Sequence, residues 1–261
     1  MYDLSVCLAA IRKRNWVRLY NSIVASVGNY SFELVFCGPH GELPEELREL
    51  DNVSCIVDFG SPTRAQQISM KNATGRYIAW TADDGWFSPG GLERCIKMLD
   101  EDPEEKSCIV TQYIEGGTDG LGADNPDLRG LKMYQINTHE SARSPFYPDE
   151  YIIFNSVVIP TQYFKELGGF DCRFEVCAMA FVDFGARAQL DGIKTKLIGN
   201  IFECTQFPGP TGDHAPIHYG QLENDQPLYS QIWNSPSCLE RIRIDYDNWK
   251  QAAEIWTRRF A

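Results

Sequence analysis

"SPTRAQQISMKNATGRYIAWTADDGWFSPGGLERCIKML", residues 61–99, decides how this chain is read. Ser61 and Pro62 form an N-cap and first-turn pair, and the helical stretch they open runs to Gly75. The apolar run Tyr77-Ile78-Ala79-Trp80 follows and ends in two adjacent carboxylates, Asp83 and Asp84. Neighbouring negative charges repel. They are tolerated where both face water or where a cation sits between them. A second pair, Ser88-Pro89, then opens another helical stretch over 88–102.

The same alternation extends in both directions. Apolar runs predict strands at 4–10, 32–38, 53–59, 107–114, 151–160 and 194–202, in addition to 76–82. Helical spacing or helix signals mark 15–26, 43–52, 161–171 and 178–191. Strand–helix alternation predicts an α/β fold, with a mostly parallel central sheet flanked by helices. Ligands of such sheets bind beyond the carboxyl ends of the strands. Asp83, Asp84, Asp58 and the loop after Ala10 all fall at such ends. The Gly-, Asp- and Pro-rich segment 115–130 predicts a binding loop or lid. From 203 onward the chain holds a loop, "PGPTGDHAPIHYG" (208–220), and two helix-like stretches.

The chain has 261 residues and a formal charge of −12, which argues against nucleic acid or an anionic membrane as partner. A phosphate-bearing ligand would then need a metal ion or a few placed Arg or Lys residues. No apolar run approaches the ~20 residues that span a bilayer. The first ten residues lack a basic region ahead of a long apolar core, so no signal peptide is predicted. The nine cysteines form no CxxC pair and no zinc-like spacing, and several sit in apolar strand runs. They are expected to be buried free thiols in a reducing cytoplasm.

The acidic pair alone reads two ways. A carboxylate cluster at a strand end can hold Mg²⁺ or Mn²⁺ and cancel the charge of a leaving diphosphate. Asp-Asp-Gly is also an ordinary solvated turn.

The whole block 61–99 resembles the family 2 glycosyltransferases of the GT-A fold. It shares their Arg ahead of a helix, their Asn/Ala-x-Gly segment and their strand ending in a DXD-type acidic motif. The later segment "FNSVVIPTQYFKELGGFD" (154–171) matches the strand, short helix and GGFD turn of that family. The resemblance spans 4–200. It implies a metal-dependent transfer of sugar from a nucleoside diphosphate sugar, most often UDP-linked, to an unknown carbohydrate or other hydroxyl acceptor. It implies a nucleotide-sugar-binding and catalytic domain over 1–205, with 206–261 as a C-terminal extension completing the site. Asp84 and Asp83 are then the Mn²⁺ or Mg²⁺ and diphosphate motif, with Asp84 the direct ligand. Arg64, Asp58 and the first-strand loop, Ala10 and Arg12 included, face the nucleotide. His214, in the tail loop, resembles the imidazole that completes the metal shell in GT-A enzymes.

Three departures stand against the family pattern. The first loop reads Ala9-Ala10-Ile11-Arg12 in place of Pro-x-Tyr-Asn. Phe36-Cys37-Gly38-Pro39 occupies the position of the Asp that reads the base. Ala180-Phe181 stands near the Glu-Asp pair that supplies the general base. An inverting transfer needs a base to take the acceptor proton, and the candidates are Asp183, Asp213, Asp171 and Glu175. Asp183 could equally pair with Arg187, four residues on. Trp86, Phe87, Tyr147, Phe207, Tyr219 and Trp233 lie in or near the candidate loops and could stack on sugars, or simply pack. Two other functions remain open: a GT-A nucleotide-sugar-binding protein without catalysis, and a nucleotidyltransferase. The second would want a glycine-rich basic loop after the first strand, and Ile11-Arg12-Lys13-Arg14 has no glycine.

Overall fold

Four apolar runs build the first half of the sheet. Leu4–Ala9 (β1), Phe32–Gly38 (β2), Val53–Val57 (β3) and Tyr77–Trp80 (β4) pair in parallel in the order β3-β2-β1-β4. The computed structural model describes residues 1–101, 106–115, 133–135, 154–204, 210 and 212–260. β1 is buried along both faces, as a central parallel strand must be. Trp16–Val27 (α1), the single turn Glu45–Arg48 (α2) and Pro62–Lys71 (α3) make the crossovers. Ser61 caps α3 by accepting from the Arg64 backbone N–H at 3.3 Å.

The fourth helix starts later than its Ser-Pro pair predicts. Gly91–Asp100 (α4) follows Gly90, whose φ of 70° is a left-handed conformation. The residues ahead of it, Gly85–Phe87, form a short strand, β5, that the turn-like sequence conceals.

Beyond β4 the sheet is mixed. Ser107–Glu115 is β6, Met133–Gln135 is β7, Val157–Pro160 is β8 and Lys194–Cys204 is β9. β8 lies between β4 and β6, antiparallel to both, and β9 runs parallel to β6. β5 closes the far edge antiparallel to β9, and β7 pairs antiparallel with β6. The first part of the predicted strand 151–160 and most of the predicted loop 115–130 lie outside the described residues.

Strand alternation sorts the core into two faces. Leu4, Val6 and Leu8 pack with Trp16, Leu19 and Phe36 under α1 and α4. Cys7, Ile78 and Trp80 face the other way, toward α3, Thr161–Glu166 (α5) and Cys177–Leu190 (α6). There Trp80 meets Phe170 and Phe184 edge-on, at 5.2 and 5.8 Å between ring centroids. Gly168 and Gly169 stop α5 with φ of 87° and 67°. A Cβ on Gly168 would also collide with the Ile244 carbonyl oxygen, so glycine lets the C-terminal segment pack there.

The C-terminal segment contains Ala215–Gly220 (α7), a π-helical turn Gln221–Asp225 and Gln226–Trp233 (α8). It is tied to α6 through buried charge. Arg187, with no exposed surface, donates to Asp183 at 2.9 Å and to the Leu167 and Gly169 carbonyls. Arg241 pairs with both Asp183 and Asp171, and the Trp233 indole donates to Asp183 at 3.2 Å. Removing one partner of such a network leaves buried charges uncompensated. Asp183→Ala is therefore expected to lower unfolding free energy by roughly 3–5 kcal/mol in denaturant titration. An unchanged midpoint would show that the network does not hold the tail to α6.

Candidate active site

The turn after β4 turns Asp83 inward. Its carboxylate is 1% exposed and accepts from the Ile11 and Arg12 backbone N–H groups at 2.7 and 2.5 Å. The Arg12 guanidinium donates to its other oxygen at 2.7 Å, and the Trp16 indole approaches at 3.4 Å. Trp16 is itself stacked on Phe36 at 4.0 Å. Asp83 thus stitches the β1 loop to the β4 turn.

Arg12 continues the chain of charge. Its guanidinium donates to both oxygens of Asp213 at 2.9 and 3.2 Å, and the His214 ring lies 3.4 Å away. The three neighbouring carboxylates raise the Arg12 pKa against a burial that opposes its charge. Burial also works against ionisation of Asp213, yet the charge and hydrogen bonds of Arg12 outweigh it and hold Asp213 below the usual aspartate range.

These groups border a cavity of about 240 Å³ at the carboxyl ends of β1 and β4. Arg12, Asp83, Asp84 and His214 line it, together with Gln66, Asn155 and Phe181. A smaller cavity of about 80 Å³ adjoins it and shares Ala9, Arg12, Pro62 and Ile217 as walls. Ala10 and Asp213 line this second space.

The other expected residues lie elsewhere. Arg64 donates to Asp58 at 3.0 Å and to the Trp249 and Ala252 carbonyls, and its guanidinium lies over the Trp249 ring. The tail folds over this pair, so neither residue lines either cavity. Asp183 sits inside the α6 network. Asp171 is held by Arg173 and Arg241. Glu175 accepts from the Trp256 indole and from Arg258. Of the candidate bases, only Asp213 borders the cavities.

Among the described residues no group of three or more His, Cys, Asp or Glu side chains has metal-site geometry. Asp84 and His214 line the same cavity, but the oxygens of Asp83 are engaged by N–H donors.

The expected aromatics do not line the cavities either. Trp86 lies under Arg18, Phe87 packs on Phe202, Trp233 is buried against α6 and Tyr219 is half exposed. Tyr147 and Phe207 fall outside the described residues. The lining instead includes Phe181 and Phe202, with Trp256 at the smaller cavity. Gln66 also escaped the sequence reading. It accepts from the Ala9 N–H and donates to the Cys7 carbonyl, both at 2.8 Å, and so extends the edge of β1.

The "Glycosyl transferase family 2" model matches residues 55–166, which include β4, the acidic turn and β8. Over that segment the chain is similar to the family 2 glycosyltransferases. No curated protein matches it. Among solved structures, TarS of S. aureus, residues 1–349, is similar at 14% identity and a TM-score of 0.55, over 88% of this chain and 68% of that one. The same fragment in complex with UDP gives 15% identity and a TM-score of 0.55, over 88% and 69%. The longer TarS structure gives 13% and 0.56, over 95% of this chain and 42% of that one. At these identities the likeness establishes the GT-A fold of this chain. No helix among its described residues is long and apolar enough to cross a membrane.

The Arg12–Asp213 contact sets a titration. In NMR-detected pH titration, the Asp213 carboxyl is expected to have its midpoint below the ordinary aspartate value. Because that folded-state value is depressed, the contact stabilises the fold above the unfolded pKa and is lost as pH falls through the folded one. Arg12→Ala should raise the midpoint. An Asp213 midpoint that Arg12→Ala leaves in place would contradict the contact.

Proposed function

We propose that this chain is a glycosyltransferase that moves a sugar from a UDP-linked donor to an acceptor hydroxyl, with a divalent cation held at Asp84 and His214. The observation that carries the reading is the convergence of Arg12, Asp84 and His214 on one cavity at the strand ends. The family match and the likeness to a UDP-complexed structure support the donor class.

A carboxylate oxygen and an imidazole nitrogen suit Mn²⁺ or Mg²⁺. Such ions commonly take few protein ligands and complete their shell from phosphates and water. The residues present fit that arrangement, with Asp83 behind as the anchor of Arg12 rather than as a ligand. When bound, the ion would neutralise the diphosphate and ease its departure. Arg12 supplies a fixed positive charge for the phosphates on the same wall. A guanidinium held in place by Asp83 needs no reorganisation when charge develops there.

Asp213 is the base of this proposal. Phe181 stands on the cavity wall near the position where the resembled family has its acidic pair, and it cannot accept a proton. Asp213, next to His214 and paired with the Arg12 that lines both cavities, would take the acceptor proton from the larger-cavity side as the hydroxyl attacks the sugar carbon. The acceptor is a carbohydrate or another hydroxyl compound, entering beside Asn155 and Phe181. The nine free cysteines support a reducing, cytoplasmic setting.

The test is thermal stabilisation by UDP, GDP, CDP and dTDP, each with Mn²⁺ or with chelator. UDP with Mn²⁺ is expected to stabilise by ~2.7 kcal/mol at ~100 times its dissociation constant, and to lose the effect with chelator. Asp213→Asn should keep that response and lower kcat by roughly 10²–10⁴. Absence of a shift with any nucleotide would sink the donor reading.

A further inference from the structure

One wall of the smaller cavity is an arginine whose hydrogen bonds are incomplete. Arg259 lines it from the C-terminal turn Thr257–Phe260. Its Nη1 is buried and has no hydrogen-bond partner. Burial lowers its pKa, while nearby Asp58 and Cys37 oppose that shift. A buried guanidinium N–H without an acceptor costs free energy unless a ligand supplies one.

The chemistry of the walls narrows that ligand. Ala9, Ala10, Cys37, Pro62, Ala65 and Trp256 make the space largely apolar. The Asp213 carboxylate on one side would repel a phosphate. An apolar slot with a cation in its wall suits a planar ring that carries carbonyl oxygens. The slot shares the Arg12 wall with the larger cavity, so a ring placed there leaves its diphosphate at Arg12 and Asp84.

The neighbouring strand cannot read such a ring from Gly38. A Cβ there would collide with the Ala10 carbonyl oxygen, so the end of β2 has no room for a side chain at that position. A polar group must come from elsewhere, and Arg259 is where the chain brings one.

We infer that Arg259 is a specificity-determining residue, donating to a carbonyl oxygen of the donor's nucleobase and favouring uracil over adenine. Uracil offers two carbonyl acceptors. Adenine has no carbonyl and sets an amino donor beside its ring-nitrogen acceptors, which matches the guanidinium less well. The inference rests on the UDP-donor reading.

The experiment compares binding of UDP, ADP and inorganic pyrophosphate, each with Mn²⁺, to the full chain and its variants. Wild type should prefer UDP to ADP. Arg259→Ala should lose roughly 10- to 100-fold in UDP affinity, as expected for a hydrogen bond to a charged group. Its pyrophosphate affinity should not change, because pyrophosphate has no base. Arg259→Lys, which keeps the charge, should recover part of the UDP preference.

Arg258→Ala controls for loosening of the tail. Arg258 pairs with Glu175 and Glu223 and lines neither cavity. It should leave the UDP-to-ADP ratio intact. Equal UDP binding by wild type and Arg259→Ala would overturn the role of Arg259 and leave the UDP reading standing. So would parallel losses of UDP and pyrophosphate, or equal losses in Arg258→Ala. Failure of wild type to bind any nucleotide would overturn both readings together.

Discussion

A single buried carboxylate organises the site. Asp83 accepts from two backbone N–H groups of the β1 loop and from the Arg12 guanidinium. An ionised group 1% exposed is tolerable only with such a set of donors. The return is geometric. The β1 loop is fixed against the β4 turn, and Arg12 is aimed across the cavity at Asp213 of the tail. The apparent puzzle of two adjacent aspartates resolves by division of labour. Both line the cavity, and Asp83 also takes the backbone donors of the β1 loop.

The tail is held at separate places by separate chemistry. Arg12 binds Asp213, Arg187 and Arg241 enclose Asp183, Arg64 holds the Trp249 and Ala252 carbonyls, and Arg258 joins Glu175 to Glu223. Each contact uses an arginine whose planar fork suits carboxylates and carbonyls. The consequence for function is that residues 212–260 supply walls of both cavities, through His214, Ile217, Trp256 and Arg259. A sheet that is acidic at its strand ends adds to Arg12 of its own β1 loop an imidazole and a second guanidinium, His214 and Arg259, from this distant stretch of sequence.

The fold was legible because its signals are local. Ser61-Pro62, the strand runs and the Gly168-Gly169 stop all act within a few residues, and β1 to β4 follow them closely. β5 was not legible, since "GWF" reads as a turn and becomes a strand only by pairing with β9. The antiparallel direction of β8 depends on chain routing rather than on composition. The site was legible where a strand end decides it, as at Asp83, Asp84 and Arg12. It was not legible where the tail decides it. Asp58 and Arg64 look available to a nucleotide until the Trp249–Ala252 carbonyls cover them. Asp183 looks like a base until Arg241 closes on it. Arg259 gives no local sign, because the strand-end residues it meets, Cys37 and Asp58, lie near the other end of the sequence.

The site depends on Asp83 as the buried anchor of the β1 loop. The most direct test of that dependence is the metal-free unfolding free energy of Asp83→Ala and Asp84→Ala, measured beside their responses to UDP with Mn²⁺. Asp83→Ala should lose roughly 3–5 kcal/mol without any ligand, because it leaves Arg12 and the loop N–H groups buried and uncompensated. Asp84→Ala should lose the response to UDP with Mn²⁺. Two variants of equal metal-free stability, both failing only in the ligand response, would contradict the account and make the pair a joint metal motif.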